Sequence, residues 1–196
     1  QSLESSLHRA EELQMAEERA VALVSLADLA RIEGRFAQSL AQSEQARGLF
    51  VALEDQRGQV EAALVRIQSL IESNDLATAR AALAALPAAD IGSREQQAMR
   101  AQREAELQLR SGDAAAAEAA ATQAVQLADA AHSLAQALGA RILLAEAQSA
   151  RGAAVSSLRT LADARAALAA YASAGLRLRL LEAELKIDPA HAAARY

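Results

Sequence analysis

The stretch from Ser111 to Ala124, SGDAAAAEAAATQA, holds eight alanines in fourteen residues and offers few side chains with which to grip a partner. It decides the fold only if the rest of the chain repeats its pattern at a fixed distance, so an internal period is sought before anything else. Three other stretches answer: EGRFAQS around Gly34, SNDLATA around Asn74 and RGAAVSS around Gly152. From Gly34 to Asn74 to Gly112 to Gly152 the steps are forty, thirty-eight and forty, close to a fixed period.

Other positions keep step with these four. Five residues after the Gly or Asn stand Ser39, Ala79, Ala117 and Ser157, and twelve after it stand Ala46, Leu86, Ala124 and Ala164. Seven before it stand Ala27, Ile67, Ala105 and Ala145, small in three of the four cases. Gly and Asn tolerate the left-handed conformation that ends a helix and reverses the chain, and Asp75 and Asp113 directly afterwards suit the first turn of the next helix. Small residues flanking the turn fall where two antiparallel helices cross, and they let the backbones approach. The alanines are therefore packing positions.

Composition agrees with a helical core. Apolar residues make up 53% of the 196, carried mainly by Ala and Leu, which are strong helix formers, while aromatics are only 2%. No sustained alternation of Val, Ile, Thr and aromatics marks a strand. The two prolines, Pro87 and Pro189, leave most of the chain free to run helical. Turn and cap signals predict helices over 3–16, 20–33, 36–53, 57–73, 76–86, 94–111, 114–131, 135–151, 154–172 and 176–187. In LPAADIGSREQ, Pro87 ends a helix, and Ser93 with Gln96 reads as a capping box for the next.

Charge and residue inventory exclude several function classes. The net charge of −5, with acids interleaved among the 20 Lys and Arg, argues against a nucleic-acid footprint, which needs a basic face. With no cysteine there is no disulfide framework, thiolate metal site or cysteine nucleophile. No apolar run is long enough to span a membrane. His8, His132 and His191 stand far apart with no companion at metal-ligand spacing, so each reads as a surface or helix-end histidine and no metal is expected. Gly-rich phosphate loops are missing, and pairs such as Glu11/Glu12 and Glu17/Glu18 read as solvated charge. No cofactor and no catalytic residue is expected, and the chain does not read as an enzyme.

The spaced turns and small residues resemble the tetratricopeptide repeat, a helix, a tight Gly-Asp or Asn-Asp turn and a second helix, over residues 20 to 172. The large aromatics that usually fill that family's first helix are replaced at one position by Leu23, Ala63, Ala101 and Arg141. Units of this length look like the long variant found in bacterial regulators. The resemblance implies an all-α fold, an α-solenoid of antiparallel helix pairs wound as a right-handed superhelix. It implies one domain over 1–196: a partial leading repeat at 1–19, repeats at 20–59, 60–97, 98–137 and 138–172, a capping helix at 173–187 and a tail at 188–196. Such an array is expected to be a fragment of a larger cytoplasmic protein.

The family's groove positions carry over one residue at a time. Ten before each turn residue stand Val24, Leu64, Gln102 and Ile142; six before it stand Asp28, Gln68, Glu106 and Glu146. The resemblance implies that these two rows line a concave face, favouring a protein or peptide with apolar anchors and Lys or Arg between them. The family's best-known clamp holds a C-terminal carboxylate with Lys, Arg and Asn at these places, which this chain lacks. The expected function is a non-catalytic interaction or scaffolding arm of a signalling or transcription-regulatory protein, with small-molecule sensing as the alternative. Apolar residues in the first and last helices also suggest self-association through uncovered ends.

Overall fold

A computed structural model of the chain describes residues 15–86, 91–169 and 173–189, with Leu3 alone before them. The described residues are all-α, without a strand. They form α1 (Ala16–Ile32), α2 (Phe36–Ala52), α3 (Gln56–Glu72), α4 (Leu76–Ala84), α5 (Arg94–Arg110), α6 (Ala114–Ala130), α7 (Leu134–Ala150), α8 (Ala154–Leu168) and α9 (Ala174–Ile187). The chain divides into two compact units, Gln1–Gln96 and Gln97–Tyr196. The expected leading helix over 3–16 lies outside the described residues except for its ends. There Met15 is non-helical and Ala16 already opens α1, four residues before the predicted start.

The helices are more uniform than the sequence reading suggests. Six of them run 17 residues and are followed or preceded by three-residue connections. Each connection has a middle residue at positive φ: Gly34, Glu54 and Asn74 in the first unit and Gly112, His132 and Gly152 in the second, evenly spaced within each unit. The residue after it donates its N–H to a carbonyl five back, as Asp55 does to Phe50 and Ser133 to Ala128, at 2.7–3.0 Å across the six turns. These bonds satisfy carbonyls that a helix end leaves open. The repeating element is thus one helix and one turn, and two such elements make the period seen in the sequence.

The start signals expected at Asp75 and Asp113 are seen, and Asp55 adds a third that the sequence reading did not name. Asp55, Asp75 and Asp113 cap α3, α4 and α6 by accepting the N–H of Gly58, Thr78 and Ala116 at 3.0–3.2 Å. The expected capping box at α5 is not the partner Gln96 chooses. Its amide donates to the Arg57 carbonyl at 2.9 Å, tying the first turn of α5 to the start of α3.

The small positions around the turns are buried. Ser39, Ala79, Ala117 and Ser157 are all fully enclosed, as are Ala27, Ala105 and Ala145 to within 1%. In the second unit, α5, α6 and α7 meet in three layers: Ala98, Ala128 and Ala137; Ala101, Ala124 and Ala140; then Ala105, Ala120, Ala121 and Leu143. Residue numbers rise along α5 and α7 while falling along α6, so neighbouring helices are antiparallel. One buried methyl stabilises by only about 0.8 kcal/mol, so such layers depend on close backbone approach and many contacts. The Ala114–Ala124 run supplies the middle row of methyls in that stack. The first unit packs Ala20, Leu23 and Val24 of α1 with Ala46 and Phe50 of α2 and Ala62 of α3. Phe50 fits because α3 offers Gly58: a Cβ there would lie 2.2 Å from the Phe50 ring.

Candidate binding surface

The row expected to be apolar and open is inside. Val24, Leu64, Gln102 and Ile142 are exposed by only 7, 0, 4 and 3%. Val24 belongs to the cluster around Phe50, and Ile142 packs with Leu161, Leu168 and Leu180. Gln102 spends its amide on the backbone and side-chain oxygens of Gln136, at 2.9 and 3.0 Å. A residue ten before the turn faces neighbouring helices, and so leaves little surface for a partner.

The second row is reached by internal cations. In the first unit Asp28 and Arg31 lie one turn apart on α1, and Gln68 and Glu72 lie one turn apart on α3, which packs against α1. Arg31 donates to both Glu72 oxygens at 2.7 and 2.9 Å and, through Nε and Nη2, to Asp28 at 2.9 and 2.8 Å. Gln68 adds an N–H to Glu72 Oε1 at 2.6 Å. Burial disfavours the charge on Arg31, but the hydrogen bond to Glu72 and the attraction of Asp28 and Glu72 outweigh it and raise its pKa above the ordinary arginine value. In the second unit Glu106 pairs with Arg110 at 3.5 Å, and Glu146 of α7 pairs with Lys186 of α9 at 3.1 Å. Deeper in that unit, the nearly buried Glu184 of α9 is held by Arg165 of α8.

Arg31 and Glu72 belong to neither groove row, yet they tie α1 to α3. The Asp28-x-x-Arg31 spacing was visible, but Glu72 stands 41 residues from Arg31, and only the packing of α1 on α3 joins them. The pairing also alters the chemistry of the row: Asp28, Glu106 and Glu146 each have a cation already. Outward apolar surface remains on α1, where Val21 and Ile32 are 54 and 66% exposed beside a half-exposed Asp28. Steps of seven and four residues put the three on one face.

Among the described residues no group of three His, Asp or Glu could hold a metal ion, and no helix is long and apolar enough to cross a membrane. His132 occupies an exposed turn, while His8 and His191 lie outside the described residues. No protein-family model matches the chain, and a search of curated proteins finds no match.

Proposed function

We propose that this chain is a non-catalytic protein–protein interaction and scaffolding module, each unit a run of tetratricopeptide-like hairpins, serving as the regulatory arm of a larger bacterial signalling or transcription-regulatory protein. The observation that carries the reading is the outward face of α1. Val21 and Ile32 expose apolar surface, Asp28 stands between them, and two carboxylates around the single guanidinium of Arg31 leave one negative charge in excess. An amphipathic helix with apolar anchors and one Lys or Arg at matching spacing suits such a face.

The test is titration of the whole chain with labelled amphipathic peptides that carry Leu anchors and a Lys, followed by fluorescence anisotropy. Ile32→Asp and Asp28→Lys should each remove saturable binding. Charge reversal at Glu106 and Glu146, which are paired inside the second unit, should leave it unchanged. Binding that is indifferent to Ile32→Asp and Asp28→Lys would exclude α1 as the docking face.

A further inference from the structure

Residues 16 after each turn and 14 before it share a core cluster in three hairpins. Phe50 goes with Ala20, Ala128 with Ala98, and Leu168 with Leu138. In the hairpin of α3 and α4 the position 16 after the turn lies outside the described residues. The residue 14 before Asn74 is the buried Val60, and α4 is only 9 residues long, ending at Ala84 where α2 and α6 run 17. A cleft of about 470 Å³ opens at this layer.

The walls of the cleft are chemically mixed. Its floor is one stripe of α3, Val60, Ala63, Arg66 and Ile67, with Gln56 and Gln59 at the helix start; α2 supplies Glu44 and Arg47, α4 supplies Ala82, and Ala85 and Leu86 follow directly after α4. Arg47 donates to Glu44 through Nε and Nη2 at 3.1 and 2.6 Å. Arg66 reaches the same carboxylate only at 3.9 Å. Among the described residues that line the cleft, two guanidinium groups therefore face one carboxylate, leaving one positive charge in excess.

We propose that this cleft binds a small organic monoanion, an aliphatic carboxylate, whose carboxylate is held by Arg66 and whose chain lies along Val60, Ala63 and Ile67 beside the early end of α4. Volume supports a small molecule, since ligand pockets commonly enclose about 300–1,000 Å³. Charge supports one anionic group: a single carboxylate neutralises the site, whereas a neutral ligand leaves the charge of Arg66 without a close partner and a dianion brings a second charge against Glu44. The site uses no residue of the α1 face and does not rest on the interaction reading.

Octanoate is the probe, titrated into the full chain by calorimetry with 1-octanol as its neutral counterpart. Octanoate should bind saturably, and Arg66→Gln should weaken it by about tenfold or more, as expected for loss of a charge-assisted hydrogen bond. Octanol should bind more weakly to the unaltered chain and equally to both proteins. Ala63→Leu, which fills the cleft without touching its charge, should weaken octanoate while raising the thermal midpoint. Arg159→Gln, an exposed arginine of α8 outside the cleft, should change nothing. Absence of saturation at millimolar octanoate, an unchanged affinity in Arg66→Gln, or an equal loss in Arg159→Gln overturns the proposal. So does an acidic peptide that binds through Arg66 while octanoate does not.

Discussion

Ser157, enclosed on α8 five residues after Gly152, donates its hydroxyl at 2.7 Å to the carbonyl of Ala145, which lies seven residues before that glycine on α7. The two small positions recognised in sequence are thus joined directly across the hairpin. In the first unit Ser39 of α2 instead meets Ser69 of α3, Oγ to Oγ, at 2.7 Å. Ala79 and Ala117 fill the same position without a hydroxyl, so the hydrogen bond supplements packing that methyl-sized side chains already allow.

Ser157→Ala should therefore cost only about 0.5–1 kcal/mol, the net worth of one internal hydrogen bond. Ser157→Leu should cost about 1–3 kcal/mol or more by forcing α7 and α8 apart. Urea denaturation of the two variants tests the ordering; equal costs would refute close crossing at this position.

Glu54 and His132 occupy left-handed turn positions, at φ 56° and 53°, that Gly34, Gly112 and Gly152 fill elsewhere. A side chain in that conformation costs about 1–2 kcal/mol relative to glycine. Both residues are exposed, so Glu54→Gly and His132→Gly should each stabilise the chain by a substantial fraction of that amount, reduced by the added freedom of the unfolded state. Gly112→Ala should destabilise by about 1 kcal/mol. Thermal midpoints moving in the opposite directions would overturn the assignment of these turns.

Two helical glycines should respond with opposite signs. Gly48 of α2 has open space where a Cβ would go, and Gly48→Ala should stabilise by about 0.4–1 kcal/mol through helix propensity and unfolded-state entropy. At Gly58 the added carbon would fall 2.2–2.5 Å from three atoms of the buried Phe50 ring. Gly58→Ala should cost about 1–3 kcal/mol, with Phe50→Leu in the same chain recovering part of the loss if the ring is the obstacle. Chemical denaturation of the two single variants and the double variant measures this coupling.

Glu44 titrates below the usual carboxylate range because Arg47 hydrogen-bonds its ionised form and, with Arg66, attracts it, against the opposing effect of burial. A depressed folded-state pKa stabilises above the unfolded value of about 4.3 and is lost as pH falls through the folded pKa. With Glu44 half exposed, solvent screening limits this contribution to about 0.2–1 kcal/mol. Glu44→Gln should accordingly show a shallower loss of stability between neutral pH and pH 3 than the unaltered chain, and added salt should shrink the difference. Parallel acid profiles would show that the pair contributes nothing.

The helical hairpins were legible because their signals are local. A glycine or asparagine that reverses the chain, an aspartate that caps the next helix and small side chains five and seven residues away each act within a turn or two, and all these small positions are buried. Glu54 and His132 were missed because neither residue type favours positive φ; they adopt it because the long helices on both sides leave only a three-residue connection in which to reverse. The candidate surface was less legible. Asp28 and Arg31 could be paired by their spacing, but Glu72 joins them only because α3 lies on α1, and Val24 and Ile142 were assigned to a surface although their neighbours bury them.

Sequence alone therefore determined that this chain is helical, where most helices stop, and which residues are small because backbones pass close to them. Those properties follow from φ preferences, capping bonds and side-chain volume, which act over a few residues. Only the tertiary structure decided which cation neutralises which acid, which apolar residues stay outside on α1 and where a short α4 leaves Arg66 facing a cleft. These depend on which helices meet, since the energy of a charge or an apolar side chain is set by what lies within a few ångströms of it, however distant along the chain.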